Sequence, residues 1–242
     1  MTDTLHAQWV VLDIEGTLMP TAGVHVVLYD YARPRLGPWI DAHPDDPTVA
    51  SAVARVKAEA GLPADAGTAA VVEVLHAWMT ADRKAAPLKE LQGLIWQDGY
   101  ARGELVSEYF PDVVPALRAW VAAGLRLAVF SSGSVAGQVA SFSTTTEGDL
   151  TTLFRHHFDT VNAGPKRESA SYAAIAEGLG GPTPGRIVFL SDVPAELDAA
   201  AEAGWKTVGL ARDGEPYATA DFGEHLVAKS LDEFRVVPDE EP

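Results

Sequence analysis

The sequence predicts an α/β fold: a mostly parallel sheet covered on both faces, interrupted by an all-helical insertion. Three observations carry this. Short apolar runs of strand length alternate with helical patterns through the second half of the chain. The helical patterns there end at glycines, where a helix commonly stops in a left-handed residue. The first apolar run is cut off from the second by a long stretch whose apolar residues follow only helical spacing.

The elements follow in order. Strand-type runs are "WVVLDI" (9–14), "LRLAVF" (125–130), "FDTVN" (158–162), "RIVFL" (186–190) and "KTVGLA" (206–211). Near-continuous apolar strands alternating with helices imply parallel strands buried on both faces. Between them, "DVVPALRAWVAAG" opens on Asp112 as an N-cap and closes on Gly124. "KRESASYAAIAEGLG" and "PAELDAAAEAG" read as further helices. Within the insertion, Val71, Val74, Leu75 and Trp78 share one helical face, as do Leu88, Leu91 and Ile95. Pro34, Pro38, Pro44, Pro47 and Pro63 divide its earlier part into short helices. The expected division is a core of residues 1–20 and 111–242, with residues 21–110 as the helical insertion. The acidic tail "PDEEP" is expected to fray.

Composition excludes several classes. With 34 acidic against 18 basic residues and a net charge of −16, neither nucleic acid nor an anionic membrane is an expected partner. No apolar run is long enough to span a bilayer, and "MTDTLHAQ" lacks a signal-peptide pattern. A cytoplasmic protein is therefore expected. The absence of cysteine excludes disulfides and thiol chemistry. None of the seven histidines forms a His-x-x-x-His pair, which speaks against zinc. "GSVAG" misplaces the serine of a nucleophile elbow, "GLGGPTPG" lacks the dinucleotide fingerprint, and there is no P-loop.

Ligands of a parallel sheet bind outside the carboxyl ends of its strands, and four polar features fall there. Asp13 and Glu15 follow the first strand, "SSGS" (131–134) the second, and Lys166 comes shortly after "FDTVN". Asp192 follows "RIVFL", with Glu196 four residues on. Together these residue types suit phosphoryl transfer. A carboxylate such as Asp13 can attack phosphorus, and Mg²⁺ would neutralise the meeting anions. Asp13, Asp192 and the Glu15 carbonyl are candidate ligands, with Glu196 near them. The Glu15 side chain could protonate the leaving alkoxide and then deprotonate water. Ser131, Ser132 and N–H groups from Gly133 onward would donate to phosphate oxygens, and Lys166 would supply fixed positive charge.

Taken singly, each feature has a plainer reading. Asp13 and Glu15 could be a solvated strand end, "SSGS" a helix cap, and Lys166 a surface lysine. Asp192 could cap the next helix, with Glu196 favoured by its dipole. Their order after successive strands favours the joint reading.

"DIEGT", "SSGS", the lysine of "GPKRES" and "FLSDVPAE" resemble the four motifs of the haloacid dehalogenase superfamily. More narrowly the chain is similar to the enolase-phosphatase, or acireductone synthase, family, which carries Glu at the second acidic position, as at Glu15. The likeness runs from residue 9 to about 200 through "DRKAAPLKELQGLIW", "TEGDL" and "KRESASY". It departs in "TLMPTAG", at Pro165, in "SFSTTTEGD" and after Gly209. The resemblance implies a Rossmann-like catalytic core with a helical cap and one Mg²⁺ per chain. The implied substrate is 2,3-diketo-5-methylthiopentyl-1-phosphate, a small phosphorylated diketone, enolised and then dephosphorylated in methionine salvage by what is expected to be a monomer. It implies catalytic roles for Asp13, Glu15 and Lys166, and a metal set drawn from Asp13, Glu15, Asp192 and Glu196. Lys89 and Gln92 of the insertion become candidates for the diketone end. Three competing readings stay open: a superfamily phosphatase for another monoester, a catalytically silent phosphometabolite-binding protein, and a dehalogenase.

Overall fold

The computed structural model describes residues 3–239 apart from 82 and 84; the end of the acidic tail, residues 240–242, lies outside the described residues. In chain order the elements are β1 (Asp3–Ala7), β2 (Trp9–Leu12), α1 (Tyr29–Ala32), α2 (Leu36–Ala42), α3 (Pro47–Ala60), α4 (Thr68–Thr80) and α5 (Ala86–Ala101). They continue with α6 (Val113–Ala122), β3 (Arg126–Phe130), α7 (Val135–Ser143), β4 (Phe154–Phe158), α8 (Ser169–Gly178), β5 (Ile187–Ser191), α9 (Pro194–Glu202), β6 (Lys206–Leu210), β7 (Leu226–Ala228) and β8 (Phe234–Pro238). The chain divides into two compact units, Met1–Thr21 with Ser107–Pro242, and Ala22–Val106. No helix among the described residues is long and apolar enough to cross a membrane.

In the first unit six strands pair in parallel in the order β4-β3-β2-β5-β6-β7. Every residue of β2 and β5 is buried, as continuous apolar strands between two helical layers require. On one face Val11, Phe130 and Phe189 pack with Tyr172 and Ile175 of α8 and Leu197 of α9. Tyr172 meets Phe189 and Trp205 edge-on, with ring centroids 5.2 and 5.3 Å away. Helix α6 buries Val113, Leu117 and Trp120, one stripe at helical spacing. It ends as expected, with Gly124 in the left-handed region at φ 97°. A separate two-stranded parallel pair joins β1 to β8.

The second unit is helical throughout its described elements. Val49, Ala52 and Val56 of α3, Val71, Leu75 and Trp78 of α4, and Leu88, Leu91 and Ile95 of α5 share one core. Asp46 caps α3 by accepting from the N–H groups of Thr48 (2.8 Å) and Val49 (3.1 Å), with Pro47 as first helical residue.

Three expectations are corrected here. The third core strand is Phe154–Phe158, not 158–162, because Asp159 breaks the extended run. Its Oδ1 accepts from the N–H groups of Val161 and Asn162 at 2.9 Å each, and the Asn162 side chain accepts from the Asp159 N–H. Asp112 occupies the position before α6 but makes no capping bond; its carboxylate is claimed by Arg212. Pro38 does not divide the early insertion, whereas Pro34 falls between the short helices α1 and α2. Pro34 sits in a 3₁₀ turn and Pro38 in the first turn of α2, where a missing N–H costs nothing.

Candidate active site

β2 is flanked by β3 on one side and β5 on the other, so the strand order reverses about it, and the crevice beyond its carboxyl end is the expected ligand position. Asp13 stands there, its N–H bonded to the Leu190 carbonyl at 3.0 Å. The chain then turns tightly, with the N–H groups of Leu18 and Met19 returning to the Ile14 carbonyl at 2.8 and 3.1 Å. Gly16 makes this turn possible at φ 73°. A Cβ at Gly16 would also lie 2.2 Å from Asp192 Oδ2, so a side chain there would displace the Asp192 carboxylate.

Lys166 is delivered by a loop pinned to α8. The Tyr172 hydroxyl donates to the Lys166 carbonyl and the Ser171 hydroxyl to the Pro165 carbonyl, both at 2.7 Å. The buried ammonium lies 2.6 Å from Asp13 Oδ1 and 2.6 Å from Glu196 Oε2. Burial opposes its charge, but Asp13 and Glu196 outweigh that and raise its pKa. Glu196 Oε2 also accepts from the Ser191 hydroxyl at 2.9 Å. Burial and the Asp13 charge push the Glu196 carboxyl up to about 7. Burial, Asp13 and Glu196 push Asp192 up to about 8. Asp192 is 3% exposed, and its Oδ1 has no hydrogen-bond partner among the described residues. Its main-chain N–H donates to Thr17 Oγ1 at 3.0 Å.

Beyond β3, Ser131 is buried, and Ser132 and Gly133 are exposed. The helix begins two residues later than Gly133. Ser134 caps α7 by accepting from the Gly137 N–H at 3.2 Å, and the Val135 N–H goes to Asp159 Oδ2 at 3.0 Å. Those donors are therefore committed. Gly133 N–H makes only a 3.3 Å contact to Ser131 Oγ, which leaves the 131–133 loop as the donor set for an anion.

A cavity of about 150 Å³ joins these groups. Asp13, Glu15, Ser131, Ser132, Lys166, Asp192 and Glu196 line it, together with Thr21, Val193, Pro216 and Tyr217. Lys89 and Gln92 belong to the helical unit, on α5. Lys89 is exposed, whereas Gln92 is buried with Nε2 unpartnered among the described residues. A larger cavity, about 560 Å³, lies in that unit beside Val49, Val53 and Leu62. Its Asp41 and Thr68 bond each other at 2.6 Å and it gathers no acid–base cluster, so size does not mark the site.

Arg212, Pro216 and Tyr217 carry no motif in the sequence, while Thr17 closes "DIEGT". An arginine directly after the buried run "TVGLA" was the one available signal. Asp149 orders a loop, accepting from the Thr151 N–H (2.8 Å) and hydroxyl (2.6 Å).

Among the described residues no three acidic or histidine side chains form a ready cluster for a metal ion. Asp13 Oδ1 and Glu196 Oε2 both meet Lys166, Glu196 Oε2 also takes the Ser191 hydroxyl, and Asp192 Oδ1 has no hydrogen-bond partner among the described residues. Two buried carboxylates on one cavity, one with an orphaned oxygen, fit a hard divalent cation completed by main-chain oxygen and water.

A buried aspartate paired with a lysine, and a second aspartate at the neighbouring strand end, meet on one cavity with the residue types that hydrolysis of an anionic ester calls for. The family model described as "Hydrolase: haloacid dehalogenase-like hydrolase" matches residues 7–204. Enolase-phosphatase E1 of Saccharopolyspora erythraea is 72% identical, the match covering 98% of each chain. Enolase-phosphatase E1 of Streptomyces avermitilis is 54% identical over 96% of each chain. The solved UTR4 protein of Saccharomyces cerevisiae superposes with a TM-score of 0.78 at 27% identity, covering 94% of this chain and 99% of its own. The chain belongs to the haloacid dehalogenase-like hydrolases and, within them, to the enolase-phosphatase E1 family.

Proposed function

We propose that this chain converts 2,3-diketo-5-methylthiopentyl-1-phosphate to the acireductone 1,2-dihydroxy-3-keto-5-methylthiopentene, by enolisation followed by phosphate hydrolysis, as a step of methionine salvage. The observation that carries the phosphatase half is the Lys166 ammonium at 2.6 Å from Asp13 on the cavity that Asp192 and Glu15 also line. The similarity to the enolase-phosphatase E1 relatives supports the enolase half.

Asp13 attacks phosphorus; the ester P–O bond breaks, and its electron pair leaves with the substrate oxygen, which takes a proton from Glu15. A water molecule then gives a proton to Glu15 and attacks the aspartyl phosphate, freeing Asp13 and inorganic phosphate. Lys166 orients Asp13 and offsets charge on the phosphoryl oxygens, while the 131–133 loop donates to them. Asp13, Asp192 and the Glu15 carbonyl would hold one Mg²⁺, which when bound neutralises the negative charge of nucleophile and phosphate. Glu15 is the first candidate for the proton removed in enolisation. Lys89 and Gln92 are assigned to the diketone end on family likeness alone, and the helical unit to the role of a cap. In this reading the enzyme is a cytoplasmic monomer.

A panel of phosphate monoesters with Mg²⁺, the diketone phosphate included, tests the proposal. Phosphate release from the diketone, preceded by an enol absorbance, is expected. Turnover of a sugar phosphate with none of the diketone would establish the other superfamily reading.

A further inference from the structure

The chemistry above leaves one buried charged group unused. Arg212 lies two residues past the end of β6 and is 4% exposed. Its fork meets Asp112 at 2.9 Å through both terminal nitrogens, and Asp112 Oδ2 also accepts from the Leu231 N–H at 2.7 Å. The guanidinium carbon stands 4.2 Å from the centroid of the Phe110 ring. Nη1 also reaches the Lys229 carbonyl at 3.5 Å, and the bond that decides the role is from Arg212 Nε–H to the Thr17 carbonyl at 2.7 Å. Thr17 sits in the turn that carries Glu15 and Gly16, and its hydroxyl accepts the Asp192 N–H at 3.0 Å. One side chain thus braces the Asp13 turn and, through Thr17, the main chain of the opposite carboxylate.

We propose that Arg212 is a positioning residue for the cation site, holding the spacing between Asp13 and Asp192 through Thr17. This rests on the reading that those two carboxylates bind a divalent cation. A pair serving only to join distant segments would not need the Thr17 bond. Partners of that kind typically alter metal affinity by about 10–100-fold when removed. Lysine cannot replace the arginine, because one ammonium cannot grip both Asp112 oxygens and still reach Thr17 in a fixed plane.

The test is calorimetric titration of Mg²⁺ into substrate-free wild type, Arg212→Lys and Thr17→Val, with melting midpoints recorded alongside. Arg212→Lys should bind Mg²⁺ about ten-fold more weakly. Thr17→Val, which keeps the ion pair and removes only the acceptor for the Asp192 N–H, should weaken it likewise and covers the case in which Arg212→Lys does not fold. A lowered melting midpoint with unchanged Mg²⁺ affinity in the folded variants overturns the proposal. Wild type that takes up no Mg²⁺ overturns the cation reading itself, and the inference with it.

Discussion

Two buried charge clusters lie in the same unit, and they are built on opposite principles. Around Arg212 one cation meets one carboxylate, and both Asp112 oxygens are satisfied. Burial works against the Asp112 charge, yet the Arg212 bonds prevail and hold its pKa below the usual range. Around Lys166 a single ammonium faces Asp13 and Glu196, with Asp192 close by and one of its oxygens unpartnered among the described residues. There burial and mutual repulsion win, and Glu196 and Asp192 are pushed up to about 7 and about 8. The satisfied cluster braces the turn beside the site; the overcrowded acidic one is, in the function proposed above, where a cation and a phosphate bind.

Removing a carboxylate should therefore have opposite consequences in the two places. Asp112→Ala strands a buried guanidinium and should cost about 3–5 kcal/mol in denaturant unfolding. Asp192→Asn should melt no lower than wild type without metal, since it relieves repulsion with Asp13 and Glu196. Mg²⁺ at a hundred times its dissociation constant should stabilise wild type by about 2.7 kcal/mol, and Asp192→Asn should abolish that gain. Calorimetry with Mg²⁺ or EDTA reads both. Equal destabilisation by the two substitutions would erase the contrast.

The acid limb of stability sharpens it further. Because the folded pKa of Asp112 is depressed, its contribution is present above the ordinary carboxylate value. It is lost as pH falls through the folded value, below roughly pH 4. Asp112→Asn should flatten that limb, measured as melting midpoint against pH. The smallest effect is expected at Tyr217, whose ring lines the cavity without belonging to either cluster. Tyr217→Leu should raise KM about five-fold, roughly 1 kcal/mol, with kcat within about two-fold.

What was legible in the sequence follows the same division. β2, β3, β5 and β6 are centred on buried apolar runs, so composition alone marks them, and the motif residues follow at their ends. β4, "FRHHF", lies at the sheet edge, where Arg155, His156 and His157 are not fully buried and the run looks polar. β1 and β8 pair with each other from opposite ends of the chain, which no local pattern reveals. Asp112 looked like a helix cap because its partner lies 100 residues away. Lys166 was found only because its neighbours in sequence form a motif; its meeting with Glu196 is tertiary.

The most direct test of the central claim is Asp13→Asn, given the diketone phosphate and Mg²⁺ in a single turnover, with enol absorbance and free phosphate followed together. The account predicts that phosphate release falls by at least about 10³-fold while the enol still forms. Phosphate release near the wild-type rate would show that Asp13 is not the nucleophile.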